Sequence, residues 1–214
     1  LQAYPRPVNY DHLYHLVEML EDIRSRTLNL DVAPIAHLLS SVRGQNFHRT
    51  LQTVRPICDY NAWGTITGRL ATNPLSFPVL TMNKEFRPCV RPNNDWLIEF
   101  DFNAAELRTL LALAEVRQPK NDIHDWNVKN IFDNKVTREE AKTQTFAWLY
   151  SSKKNSTLER LYNKDLVRNK HWDGFKIETD YGRIIENVDE HHALNYIVQS
   201  TTIDMVHEQA YKVY

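Results

Sequence analysis

Glycine is scarce in this chain, five in 214 residues, and cysteine scarcer still, with only Cys58 and Cys89. So few glycines suit a helix-rich protein. Two cysteines build neither a disulfide framework nor a zinc site, and both are expected as buried thiols in a reducing compartment. No stretch approaches the ~20 apolar residues of a membrane span, and the N-terminus carries no signal-peptide pattern. Charge of one sign is also missing: the formal net charge is −1. That excludes a global cationic signature for nucleic acid, while leaving room for positive charge gathered in one cleft. No internal repeat, low-complexity tract or composition break marks a separate second domain. An initiator Met is absent too, since the chain opens Leu1-Gln-Ala-Tyr, so the sequence is expected to be a piece of something longer.

What is present is a hydrophobic fraction of 42%, enough for a packed core. Leu13, Leu16, Val17, Leu20 and Ile23 recur at helical spacing and predict a helix over 10–26. A shorter helix over 33–43 is expected to close at Gly44. Residues 51–60 read as extended, pairing with part of 90–102. Helical patterns follow over 104–116 and 123–132. Thr137 with Glu140 three residues on forms a capping-box signature for the next helix. A further helix is expected over 158–167, a hairpin over 175–185 with Asp180-Tyr181-Gly182 at its turn, and a long helix over 189–214.

Two segments carry chemistry. Trp96, Ile98, Phe100 and Phe102 alternate with Leu97, Glu99 and Asp101, which predicts a strand delivering the Asp101 carboxylate to its tip. Arg138, Lys142, Phe146 and Tyr150 then follow at successive i+4 positions and share one helix face. Two cations, a ring and a phenol on one stripe suit a ligand with phosphates at one end and a flat stacking group at the other. A nucleoside triphosphate fits.

DFNAAELR at Asp101 to Arg108 resembles the first catalytic palm motif of the family A DNA polymerases, the bacterial polymerase I type. R-x3-K-x3-F-x3-Y is similar to that family's fingers-helix motif. TGRL at Thr67 to Leu70 resembles its primer–template motif, DIHD at Asp122 to Asp125 its short histidine motif, and ALNYIVQSTTID at Ala193 to Asp204 its AINxPxQGTAAD helix. The five stand in the family's order across about two thirds of the chain. The resemblance implies an α+β fold, a polymerase palm of small antiparallel sheet and packed helices with an inserted helical fingers region. Its segments would be a thumb-adjacent helical part over 1–64, palm over 65–109, fingers over 110–176 and palm again over 177–214. Lys142 would face Asp101 across an open cleft.

The implied activity is template-directed DNA synthesis from deoxynucleoside triphosphates on primer–template DNA, with two Mg²⁺ ions, in a cytoplasmic setting. Asp101 and the backbone carbonyl of Phe102 would be metal ligands. Lys142 and Arg138 would hold the triphosphate, Lys142 nearer the leaving group, and His124 would contact a phosphate. Glu106 and Tyr150 would pack beneath the 2′ carbon and exclude a 2′-hydroxyl, while Phe146 faces the sugar. Arg69, Asn195 and Gln199 would contact the primer–template through minor-groove acceptors.

Departures from the family pattern are several. The third catalytic motif, expected some thirty residues beyond Gln199, is not reached before Tyr214, so this stretch alone is expected to be inactive. Ser151 and Ser200 stand where glycine is usual, and His191 where arginine is expected. The segment 151–176 is short for a fingers region, which implies a trimmed, phage-type branch. Three other classes compete: a single-subunit RNA polymerase relative, a non-catalytic nucleic-acid-binding module retaining the fold, and a metal-dependent hydrolase using His191, His192 and His207.

Overall fold

The computed structural model describes residues 5–151 and 155–214. It is α+β and about half helical, with small antiparallel sheets. The chain packs as two compact units, one of Leu1–Asn9 and Asp101–His207, the other of Tyr10–Phe100 and Glu208–Tyr214.

The unit that starts at Asp101 is built on α3 (Ala105–Leu113), α4 (Ile123–Asn130), α5 (Arg138–Leu149), α6 (Ser156–Tyr162), α7 (Lys164–His171) and most of α8 (Glu190–Val213). Leu107, Leu110, Leu111, Ile123, Tyr162 and Ile197 are among its most deeply buried side chains. Leu107, Leu110 and Leu111 recur at helical spacing, which is why α3 presents one continuous apolar face to its neighbours. The expected capping box closes α5: Thr137 Oγ1 accepts from the Glu140 amide and Glu140 accepts from the Thr137 amide. Asp122 caps α4 and Asn155 caps α6 by a side-chain oxygen that accepts from two first-turn amides. The single helix expected over 158–167 is two, because Asn163 adopts a left-handed conformation (φ 45°) between α6 and α7.

The expected hairpin is present, β5 (Lys176–Glu178) pairing β6 (Ile184–Glu186), with Gly182 at φ 74° in its turn. A bidentate ion pair joins it to α8: Arg183 Nε and Nη2 donate to Asp204 at 3.0 and 2.6 Å, and the Asp204 side chain is 2% exposed. A polar core bond, Thr202 to Thr109 at 2.8 Å, fastens α8 to α3. Tyr162 donates to Asn127 at 2.9 Å, and Asn127 donates to Thr145 at 3.3 Å. These two bonds tie α6, α4 and α5 together inside the core, and burial pushes the Tyr162 phenol up to about 12. Residues 152–154, within the segment expected to be a trimmed fingers region, lie outside the described residues.

The other unit holds α1 (Tyr10–Ser25), α2 (Val42–Thr53) and two short ladders. Asn29–Leu30 (β1) pairs with Val90–Arg91 (β4), and Tyr60–Asn61 (β2) with Ala71–Thr72 (β3). Ile35, Phe47, Phe77, Phe86 and Cys89 form one core, with the Phe47 and Phe86 rings stacked 4.4 Å apart. Leu16, Met19, Leu20 and Ala62 form a second. Cys58 and Cys89 are buried free thiols, as expected.

Three expectations are corrected here. Gly44 does not end a helix over 33–43. That stretch is a 3-10 helix, Ala33–Leu38, and Gly44 lies in the first turn of α2, where a Cβ would meet the Leu38 carbonyl oxygen at 2.0 Å. Glycine is needed there for close approach rather than for a left-handed cap. Residues 51–53 are the end of α2, so the extended reading of 51–60 holds only beyond that helix, where Ile57 bridges Thr27 and Tyr60 opens β2, and β2 pairs with β3 rather than with 90–102. The third correction concerns the strand before Asp101. Its alternation is real, but β4 ends at Arg91, and among the described residues 96–102 joins no ladder. A strand exists only where a partner takes up its amides and carbonyls. Trp96, Leu97, Ile98 and Phe100 are instead 77%, 65%, 75% and 78% exposed.

Arg183→Met leaves the Asp204 carboxylate buried without its main partner and should cost about 3–5 kcal/mol in urea unfolding. Arg183→Met with Asp204→Leu should recover most of that loss. A single-variant cost near zero would mean that the pair does not anchor the hairpin. Ala104, the residue before α3, sits at φ 50° and ψ 50°. Ala104→Gly should therefore raise stability, by about 1 kcal/mol, as measured by the same titration.

Candidate functional site

Asp101, Phe102, Glu106, His124, Arg138, Lys142, Phe146, Tyr150, Asn195 and Gln199 all belong to the unit that begins at Asp101. Asp101 and Phe102 lie on an exposed irregular stretch that runs into α3, not on a strand tip. Two residues later, Asn103 is held from both sides. Arg108 Nε donates to the Asn103 carbonyl at 2.9 Å, and the same guanidinium also donates to the carbonyls of Pro119 and Asn121, each at 2.9 Å. Arg108 thus fastens the loop after Asp101 to the loop before α4.

Asp122 completes that fastening. One carboxylate oxygen accepts from the amides of His124 and Asp125 at 2.9 and 3.0 Å, capping α4. The other accepts from the Asn103 side-chain amide at 2.7 Å and from Arg138 Nη2 at 2.8 Å. The Arg138 guanidinium, first among the causes, holds the Asp122 carboxyl well below the usual carboxylate range. Glu139 takes a second guanidinium bond at 2.8 Å, and Asp125 lies 3.9 Å from Nε. Three carboxylates therefore surround one arginine.

His124 is 4% exposed, and its Nδ1 has no hydrogen-bond partner among the described residues. Burial lowers its pKa first; Asp122 raises it, and Arg138 and Lys142 lower it further. The imidazole is accordingly held neutral beside two cations. Its ring lies 6.0 Å from that of Phe146, and the Phe146 ring lies 6.2 Å from Tyr150 at 24° between planes. The predicted i+4 stripe on α5 is thus continuous in space, with Lys142 exposed and Phe146 and Tyr150 half-buried. Tyr150 ends the helix, and its hydroxyl donates to the Glu106 carboxylate at 2.5 Å, across 44 positions of sequence. Lys164 supports that end of α5. Its ammonium donates to the carbonyls of Trp148 and Ser151 at 3.1 and 3.2 Å and lies 4.5 Å from the Trp148 ring centre.

On α8, Gln199 donates to Asn195 at 2.5 Å, so the amide pair forms one half-buried unit on the helix face. Arg69 belongs to the other unit, exposed just after Gly68, which adopts φ 82°. The three histidines weighed as metal ligands separate. His191 and His192 have rings 5.2 Å apart, and His192 Nδ1 contacts Asp189 at 2.8 Å. His207 sits 15 residues further along the same helix, roughly 22 Å at 1.5 Å per residue, so no single ion joins all three.

Sequence reasoning did not single out Asn103, Arg108 or Lys164, and gave Asp122 no role of its own. Only Asp122 had a local signal, as an acidic residue directly before a helical pattern. The other three act through long-range partners.

His124 binds its proton less readily in the folded protein than in the unfolded chain, whose value is near 6.5. Stability from the neutral ring is therefore present above that pH and declines below it, as the unfolded chain gains protons first. His124→Gln should flatten the fall in unfolding free energy between pH 7.5 and roughly 5, measured in urea. An unchanged slope would mean that another group sets the acid sensitivity.

Compared with known proteins, the chain matches no family model, and no curated protein shows significant similarity to it.

Proposed function

We propose that the unit beginning at Asp101 binds a deoxynucleoside triphosphate, and that the chain serves template-directed DNA synthesis by nucleotidyl transfer. The observation that carries this reading is the Tyr150–Glu106 hydrogen bond at the aromatic end of a helix face whose other end bears Arg138 and Lys142. A stripe that begins with two cations and ends with two rings closed by a carboxylate matches a triphosphate, a sugar and a base in that order.

In this reading Lys142 and Arg138 take the phosphates, Lys142 nearer the bond that breaks. The Phe146 ring stands beside the sugar. Tyr150 and Glu106, locked to each other, fill the volume that a 2′-hydroxyl needs, and Glu106 would have to give up its phenol partner to accept one. The Asp101 carboxylate and the Phe102 carbonyl offer hard oxygen donors at adjacent positions on an exposed stretch, which fits Mg²⁺. When bound, the metal neutralises charge that develops on the phosphates. Asp101 is the residue that would hold it. Asn195 and Gln199, tied together on α8, would contact the primer–template through minor-groove acceptors common to all base pairs, as would Arg69.

The test is equilibrium binding of a deoxynucleoside and a ribonucleoside triphosphate with Mg²⁺. Wild type should prefer the deoxy form. Lys142→Ala should weaken both, roughly tenfold or more, by removing a charged contact. Glu106→Ala should narrow the preference by about tenfold, chiefly by tightening the ribonucleotide. Equal binding of the two sugars by wild type would sink the sugar-selection assignment. A neutral Lys142→Ala would sink the phosphate assignment.

A further inference from the structure

The cation expected at the phosphate end of the stripe is already engaged. Arg138 gives one nitrogen to Asp122 and another to Glu139, each at 2.8 Å, and turns its Nε toward Asp125 at 3.9 Å. Counted with Arg138, this cluster carries a formal charge of −2. An incoming triphosphate therefore finds the guanidinium nitrogens already taken, and it gains Arg138 as a partner only if the guanidinium is handed over. The three carboxylates differ in kind. Glu139 and Asp125 are largely exposed, at 74% and 56%, and each can turn toward water. Asp122 is 21% exposed and fixed by the α4 amides and by Asn103. It cannot follow the arginine.

We propose that Asp122 is a latch on Arg138: it holds the guanidinium in the nucleotide-free protein and releases it to the terminal phosphates when a triphosphate binds. This rests on the nucleotide reading given above and adds to it a competitor built into the site. In the exchange one anionic partner of Arg138 replaces another, and no covalent bond is made or broken. Asp122 keeps three other donors after release: the His124 and Asp125 amides and the Asn103 amide. Its carboxylate is therefore never left buried and unsatisfied, which is what makes the exchange reversible. The same carboxylate holds the loop after Asp101 through Asn103, so the loop and the α4 terminus stay in place while the arginine moves. Asp122 touches no substrate in this scheme. It is a positioning residue acting through Arg138.

Asp122→Asn tests the latch with little change of shape. The retained oxygen can still cap α4, while an NH₂ group replaces the oxygen that accepts from both Arg138 and the Asn103 side-chain amide, so Asn103→Ala is measured beside it as the control for the lost Asn103 bond. Binding of a deoxynucleoside triphosphate, and of the matching monophosphate, would be measured by calorimetry with Mg²⁺ in wild type, Asp122→Asn, Arg138→Ala and the double variant. The latch predicts that Asp122→Asn binds the triphosphate roughly tenfold tighter, about the worth of one charge-assisted hydrogen bond, with the monophosphate unchanged. It further predicts that this gain vanishes in the Arg138→Ala background. A merely structural Asp122 would weaken both ligands, and would do so with or without Arg138; that outcome overturns the latch. If wild type binds no triphosphate at all, the nucleotide reading fails and the latch with it. If wild type binds and Asp122→Asn is not tighter, only the latch fails. Should Asp122→Asn melt below the binding temperature, Asp122→Ser is the substitute. A serine hydroxyl still caps α4 and offers Arg138 no carboxylate, so triphosphate binding should again tighten; no gain over wild type would count against the latch.

Discussion

The Asp122 carboxylate is the point on which the candidate site depends. Four donors converge on its two oxygens, from α4, from the loop after Asp101 and from the first residue of α5. Each bond alone is ordinary. Their convergence fixes the mutual placement of three segments that are separate in sequence. The pattern is economical because a carboxylate is an acceptor only, with about four lone-pair sites, and all four are used. Arg108 is the reciprocal element, a donor-only side chain that spends its guanidinium on backbone carbonyls of 103, 119 and 121. Between them, one anion and one cation hold the loops at the end of α3 without either group being left unpaired.

Behind these loops the core is apolar with a few polar bonds set into it. Tyr162, Asn127 and Thr145 form a chain of hydrogen bonds where α4, α5 and α6 meet. Buried polar groups of this kind contribute modest net stability, but a packing that separates them costs their full desolvation. They therefore select one register of α5 against α4, and with it the facing of the Arg138 to Tyr150 stripe. That register brings the Phe146 ring against His124 and sets Tyr150 within hydrogen-bonding distance of Glu106. Helix facing and site geometry are here one constraint.

Charge at the start of α5 is mixed in sign. The two cations at the start of α5 favour an anion, yet Arg138 is matched by Asp122 and crowded by two more acids. Burial keeps His124 neutral, so it adds no charge of its own. Free cationic character at this end of the helix falls to Lys142, which is exposed and has no carboxylate partner among the described residues. A ligand bound here has to compete for Arg138, and affinity will reflect the difference between phosphate and carboxylate as guanidinium partners rather than the full strength of either.

Much of the helical framework was legible in the sequence, because helices report themselves through near-neighbour signals. The spacing of Leu107, Leu110 and Leu111, the Thr137–Glu140 capping box and the Asp180-Tyr181-Gly182 turn are each written within a few residues, and each appears where expected. The i+4 stripe on α5 follows from helix geometry alone. The strand before Asp101 was misread for the opposite reason: alternation of apolar and polar residues states a capacity to pair, and pairing is decided by whether another segment lies alongside. Gly44 was misread likewise, since its need for a bare Cα comes from the Leu38 carbonyl folded against it. The sequence by itself determined which residues share a helix face and where most helices begin, since these depend on rotations of one chain about its own axis. Only the tertiary structure decided that Tyr150 meets Glu106, that Arg108 and Asp122 bind the loops, and that Arg138 is occupied, because those contacts depend on distances between segments that no local pattern encodes.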